Sequence, residues 1–427
     1  MLRNAYQIHQ HIKKNPRWGW HELVEQNGLC FQIGKHWVIS DPETVNTLLH
    51  QRVHNRKRSL DYINAGRYIP GAAGILFEEG EAWQTRLQQS MPVFTRANLT
   101  LYTATLARLV QEEVEALQNR GKSQDFYMDM TNLGLRCVLE LGYGLNSRHE
   151  RVQNYGKELR DYKLHTMYTS YRIDRLGKGM YQMFALPRVM LDMQHLKGFV
   201  KRQSNELESL LALEECRNGL QPNWPDLYRE IGMSGLELAT ELNHVYGAFN
   251  AIDYTVTCGL YELSLHPTIA QKVKQELKGL DSSELANWQS DKLDYTKAFM
   301  KEVFRFYPVA IAVIRKAGED FECQSNLIKE DAELYLLLQS LHFNPAYWEN
   351  PREFNPDRFL TDLIEPKAYI PFLAGARKCI GQHLAELHFL QILHSFAQTK
   401  FPVFTGDLVI QPYFIPRLSQ VIHAQYV

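Results

Sequence analysis

Phe372-Leu-Ala-Gly375-Ala-Arg377-Lys-Cys379-Ile-Gly381 sets one cysteine in a short loop bounded by glycines, just ahead of an apolar helical pattern. A thiolate near a helix N-terminus is favoured by the positive end of the helix dipole and by free backbone N–H groups aimed at the sulfur. Without a Cβ, Gly375 and Gly381 let the backbone run close to a flat partner. Arg377 shares the cysteine's side of an extended loop and can meet a carboxylate. A buried structural cysteine in a turn is the plain alternative. Zinc is disfavoured, because no second Cys lies at ligand spacing and His383 and His388 have no Cys pair beside them. Cys379 is read as a thiolate presented singly, the ligand of a haem iron, and beside that reading the structural cysteine stays open until the motif around it is compared.

Position by position the run matches F-x-x-G-x-R-x-C-x-G, and in this the chain resembles the cytochrome P-450 (haem-thiolate) superfamily, soluble bacterial type. The resemblance implies haem b as cofactor, bound by Phe372, Gly375, Arg377 and Gly381 around Cys379. It also implies a mainly α fold with a minor β-sheet, in one domain over residues 1–427.

Upstream, Glu302 and Arg305 stand three apart, on one helical face where they can pair. A second E-x-x-R, Glu214 and Arg217, shows how common that spacing is. Followed by Tyr307-Pro308 and by Phe354-Asn-Pro-Asp-Arg358-Phe, however, it is similar to the family's E-x-x-R, whose pair locks to an arginine, here Arg358. Between these segments Val309, Ala310 and Ile311 form an apolar stretch that the resemblance places beside the haem as a substrate wall. Arg315 falls where the family has a propionate-binding arginine.

Ser234-Gly-Leu-Glu237 has capping-box spacing, and Pro267 closes the helical pattern it opens, roughly 45 Å long at the rise of an α-helix. In the family this helix crosses the distal face of the haem and carries A-G-x-D/E-T, an acid and a threonine that relay protons to dioxygen. With His266-Pro267 as anchor, Gly247, Ala248, Asn250 and Ala251 lie over that motif, Gly247 and Ala248 facing substrate. An amide and a methyl group cannot do the work of a carboxylate and a hydroxyl. Asp253, with Tyr254 or Thr255, offers another register, so Asn250, Ala251 and Asp253 are the catalytic candidates.

Towards the N-terminus, Leu29–Ile33 and His36–Ser40 flank Gly34-Lys35 as a hairpin, and Asp41-Pro42 opens a helix. Tyr62–Gly80 is a glycine-rich loop, which in the family helps cover the substrate. The helical pattern after Glu81 puts Trp83, Leu87 and Met91 on one face. Trp83 is in register with a haem-propionate residue of the family; its partner arginine falls on Leu87, with Arg86 one residue early. Helices are expected over 98–119, 128–142 and 150–163. Methionines and tyrosines from Leu164 to Met193 suit either a core or an adaptable apolar ligand surface. Strands are expected at Glu333–Leu338, Phe404–Phe414 and Ser419–Tyr426.

A formal charge of -1 over 427 residues points to neither nucleic acid nor an acidic membrane as partner. No apolar run suits a signal peptide or membrane span, and the six cysteines are scattered without C-x-x-C, which together favour a reduced, cytoplasmic setting. Five cysteines are expected to be small hydrophobes. The resemblance implies oxidation of an apolar small molecule, by hydroxylation or epoxidation in specialised metabolism, by a monomeric enzyme. With no G-x-G-x-x-G segment, electrons come from a separate ferredoxin or flavoprotein, or from peroxide. Oxidative coupling, desaturation, ring formation or rearrangement without oxygen insertion is the alternative left open by Asn250 and Ala251. A non-catalytic haem or ligand-binding protein is the remote one.

Overall fold

The computed structural model describes residues 5–15, 17–51, 74–161, 198–220, 223–287, 291–361, 364–411, 417–418 and 421–426. The chain divides into two compact units, one of residues 1–59, 110–131 and 251–427, the other of 60–109 and 132–250.

In the first unit the apolar runs around Gly34-Lys35 pair antiparallel as Cys30–Ile33 and His36–Ile39. Glu333–Leu336 adds in parallel, His36 opposite Glu333, and Val313–Lys316 completes the sheet antiparallel to it. The parallel pairing is reinforced by Glu333, whose carboxylate lies 2.9 Å from His36 Nδ1 and 3.0 Å from Lys35 Nζ. Alternate residues point into a core that includes Ile39, Val45, Leu48, Leu334 and Leu336. The third strand stops at Leu336 because Leu338 opens a short helix, Leu338–His342. Near the C-terminus the expected short β-sheet is made by Val403–Thr405, Ile410–Gln411, Arg417–Leu418 and His423–Gln425, with residues 412–414 and 419–420 of the expected segments outside the described residues. Gly406, with φ 89°, breaks the first of them.

Helices complete this unit. Asp294–Phe306 buries ten of its residues, among them Phe299, Glu302, Val303, Arg305 and Phe306. Gln382–Gln398 starts at Gly381 and buries Leu387, Phe389, Leu390 and Leu393. The helix Gly235–Leu265 enters the unit at Ala251. A Cβ at its Gly259 would lie 2.9 Å from the Phe389 ring and 3.4 Å from Val303, so the missing side chain allows these helices to close up. Five cysteines are buried and free, as small hydrophobes; Cys379 is exposed.

The second unit holds Gly80–Ser90, Trp224–Glu230 and the first half of Gly235–Leu265, around buried Tyr143, Trp224 and Tyr246. The helix expected over 98–119 runs Arg96–Arg120. The one expected over 128–142 is Phe126–Cys137, extended by a π turn at Val138–Gly142. Residues 150–161 are helical, and Leu164–Met193 lies outside the described residues, as do residues 62–73 of the expected loop. Ser234 and Glu237 form no capping box. Glu237 goes instead to Arg86 at 2.9 Å, and the Gly235 N–H is taken by the Glu208 carboxylate at 2.9 Å. Among the described residues no helix is long and apolar enough to cross a membrane.

Asp41 caps the helix Pro42–His50 by accepting from the Thr44 N–H at 2.8 Å, and this helix ends against the cysteine loop. At Gly375, φ is 67° and a Cβ would overlap the Leu49 carbonyl oxygen. Gly375→Ala is therefore expected to destabilise the fold by roughly 3 kcal/mol, combining left-handed strain with a backbone clash. A denaturant titration measures it.

Candidate active site

Cys379 is held by backbone. Its N–H donates to the Phe372 carbonyl at 2.9 Å, closing the loop on itself, and the Lys378 N–H donates to the Gly375 carbonyl at 3.2 Å. Inside this loop Leu373 has φ 62°, a conformation a non-glycine residue adopts at a cost of about 1–3 kcal/mol and keeps only where its surroundings impose it. The helix Gln382–Gln398 follows directly, so the sulfur sits at a helix N-terminus. Burial pushes the thiol above its ordinary value, and the Gly381 N–H directed at the sulfur opposes that shift. Although neighbouring atoms crowd the sulfur, the residue is exposed.

The loop leans on two walls. Phe372 meets Phe304 edge-on at 5.2 Å, and Phe304 in turn meets Phe389 at 5.5 Å. On the other side Leu373 and Ala374 join Ala310 in packing against the cluster of Val313, Leu336 and Leu49. The segment after Pro308 is thereby brought beside the cysteine loop. Val309 and Ala310 are half-buried there. Ile311 is buried with Val24, Val38 and Leu337, on the sheet side, and its carbonyl accepts from the Gln339 N–H. Arg315 is 4% exposed on the strand Val313–Lys316, and Arg377 is half-buried in the loop.

Behind the loop lies a buried ion pair. Arg305 Nε and Nη2 donate to Glu302 at 2.7 and 2.8 Å, and neither side chain is exposed at all. Arg358 Nε donates to the same carboxylate at 3.3 Å, and the Asn355 N–H adds a bond at 2.8 Å. Glu214 and Arg217, at the same spacing, do not pair: Arg217 bonds Asp226 at 2.6 Å.

In the second unit, Trp83 is half-buried on the helix Gly80–Ser90. Arg86 is surrounded by carboxylates, Glu78 at 3.1 Å, Glu237 at 2.9 Å and Glu241 at 3.2 Å, which raises its pKa and opposes a further anion contact. Gly247, Ala248 and Asn250 belong to this unit and Ala251 and Asp253 to the first, all on one continuous helix. Asp253 is 3% exposed. The Thr255 hydroxyl donates to the Ala251 carbonyl at 2.7 Å, and that of Thr257 to the Asp253 carbonyl at 2.8 Å.

Residues 28–403 match the family model described as Cytochrome P450. The chain belongs to the cytochrome P450 family. It is 24% identical to cytochrome P450 3A15 of Cavia porcellus, over 88% of this chain and 80% of that protein. Against the mitochondrial 25-hydroxyvitamin D-1 alpha hydroxylase of Rattus norvegicus the identity is 27%, over 91% and 84%. The crystal structure of a cytochrome P450, CYP102L1, superimposes with a TM-score of 0.80 at 16% identity, covering 97% of this chain and 98% of that one. The fold is therefore that of the P450s, mainly helical with minor sheets. The protein is a haem-thiolate oxidoreductase, and its cofactor is haem b.

The residues present fit that cofactor. A single thiol at a helix N-terminus, with the Gly381 N–H directed at its sulfur, is a donor suited to one axial position of a haem iron. Cys379 would supply the single thiolate, and Arg315 and Arg377 would supply cations for its propionates. Sequence reasoning missed His342. Fully buried, it lies between the ion pair and the cysteine loop, in the mixed run Leu338-Gln-Ser-Leu-His342-Phe343, which carries no local sign of a role.

Burial, assisted by Arg305, lowers the pKa of His342 from 6.5 to about 3, and burial alone does the same for His388. The unfolded chain takes up protons on both near pH 6.5, and the folded chain refuses them until about pH 3. Stability is then complete above the higher value and falls as the pH drops between the two, by up to about 1.4 kcal/mol per pH unit for each ring. Urea midpoints between about pH 7 and about pH 4 should show this, and His388→Leu should flatten the fall.

Proposed function

We propose that this protein is a monooxygenase that hydroxylates or epoxidises an apolar small molecule, with Cys379 as the ligand of the haem iron. The observation that carries the reading is the cysteine loop itself: one thiol at a helix N-terminus, on an exposed residue fixed by its own backbone, with an N–H aimed at the sulfur. Haem supplies redox chemistry when bound, and a thiolate ligand that pushes electron density towards O–O cleavage is a general property of P450s. The chain's own residues position and enclose. Arg315 and Arg377 hold propionates, Trp83 assists, and Phe372, Gly375 and Gly381 shape the proximal loop. Val309, Ala310, Gly247 and Ala248 face the substrate. Arg86 is left out of the propionate set because three carboxylates already surround it.

We read residues 1–427 as one catalytic domain, monomeric and cytoplasmic, working in specialised metabolism. The sequence carries no nucleotide-binding glycine motif, so a separate ferredoxin or flavoprotein, or peroxide, completes the reaction. The relative named as a hydroxylase supports oxygen insertion. A second reading has its own support. Asn250 and Ala251 stand at the relay positions, and the nearby Thr255 hydroxyl is engaged by the Ala251 carbonyl. With that relay altered, the enzyme performs coupling, desaturation or rearrangement instead.

Cys379→Ala is expected to abolish the thiolate-ligated ferrous carbonyl band of the haem-loaded protein; an unchanged band overturns the ligand assignment. Turnover under isotopically labelled dioxygen separates the two reactions. Label in the product is the expected outcome, and unlabelled product would establish the second reading.

A further inference from the structure

His342 closes the short helix Leu338–His342, and its ring touches backbone on both sides. Nε2 lies 3.2 Å from the Ile370 nitrogen, and Nδ1 lies 3.2 Å from the Arg305 carbonyl oxygen. A backbone N–H can only donate and a carbonyl can only accept, so the tautomer is fixed by its partners: Nδ1 carries the proton and Nε2 accepts. A protonated ring would have nothing with which to accept from Ile370. The bridge therefore requires a neutral imidazole. Its surroundings favour one, first because the ring is fully buried and then because the charged neighbour is the Arg305 guanidinium, which pairs with Glu302. The remaining titratable neighbour is Tyr369, whose ring lies 5.8 Å away and whose hydroxyl donates to the Lys301 carbonyl.

The contact with Arg305 is reciprocal. Arg305 Nη1 donates to the His342 carbonyl at 2.8 Å while the His342 ring donates to the Arg305 carbonyl. On the far side, Ile370 begins the run to the cysteine. Its carbonyl accepts from the Leu373 N–H at 3.1 Å, ahead of the left-handed turn at Leu373, and the Phe372 carbonyl accepts from Cys379 itself. Both polar backbone groups of Ile370 are thus engaged, the N–H by His342.

We infer that His342 is a positioning residue for the Cys379 thiolate: its ring ties the start of the cysteine loop to the buried Glu302–Arg305 pair and holds the strained turn that aims the sulfur. This rests on the reading of Cys379 as the iron ligand.

The test compares His342→Gln with His342→Asn in the haem-loaded protein. Glutamine can place a carbonyl oxygen where Nε2 stands and accept from Ile370. Asparagine can place its amide at Nδ1 and donate to Arg305 but falls short of Ile370. The readout is the rate at which the thiolate-ligated ferrous carbonyl band converts to the blue-shifted form, at a temperature where circular dichroism shows each variant folded. His342→Asn is expected to convert about tenfold faster than the parent, as a buried N–H left without an acceptor implies, and His342→Gln within about twofold of it. Equal rates for the two variants, or a parent-like rate for Asn, would overturn the inference. Should either variant fail to fold, amide exchange in the unaltered protein decides: Ile370 is expected to exchange slowly, and exchange as fast as an exposed loop amide removes the bridge. A parent lacking the thiolate-ligated band would instead sink the ligand assignment, with the Ile370 exchange rate still judging the contact.

Discussion

Everything around the cysteine loop depends on a charge that has been taken out of water. Arg305 has five N–H donors, and each has an acceptor: two go to Glu302, two from Nη1 to the carbonyls of His342 and Pro351, and one to the carbonyl of Glu353. Burying an ion pair costs more in lost hydration than its Coulomb attraction returns unless the remaining bonds are made. Here they are all made, by groups 37 to 48 residues away along the chain. The pair is therefore better understood as a device for fixing where those distant segments lie than as a source of stability. Aromatic rings of Phe306, Phe343 and Trp348 pack around the same guanidinium and keep water from competing.

That role explains what was legible in the sequence. The motif at Glu302 could be recognised because it stood before two other segments in the right order, whereas its spacing alone carried little. Glu214 and Arg217 prove the point, since the same spacing leaves Arg217 bonded to Asp226. The cysteine loop, the hairpin, the cap at Asp41 and the long central helix are local patterns, and local patterns survive into the fold. Arg86 is the opposite case. Its partners Glu237 and Glu241 lie some 150 residues on, and no periodicity announces them. The same distant attraction removed Glu237 from the capping box that its spacing suggested.

Gly375 shows a finer limit. The sequence marked it as a place where backbone must come close to something, and the approach the structure shows is to the Leu49 carbonyl, at the end of the helix that Asp41 starts. A glycine announces that a Cβ is unwelcome without naming what would strike it. Ile311 and His342 were obscure for a related reason. Ile311 lies in an apolar run whose two sides look alike on paper, and the ring of His342 meets backbone groups 28 and 37 residues away, so only the packing decides what either one touches.

The parallel pairing of His36–Ile39 with Glu333–Leu336 also shapes how the chain must be made. Those strands are separated by about 300 residues, so at roughly 5–20 residues per second a ribosome needs on the order of 15–60 s to deliver the partner. For that interval the nascent hairpin has an edge, with Trp37, Val38 and Ile39 along it, that lacks its native strand partner. Successful expression of this protein is consequently a question of protecting that edge during synthesis, and slower translation lengthens the exposure.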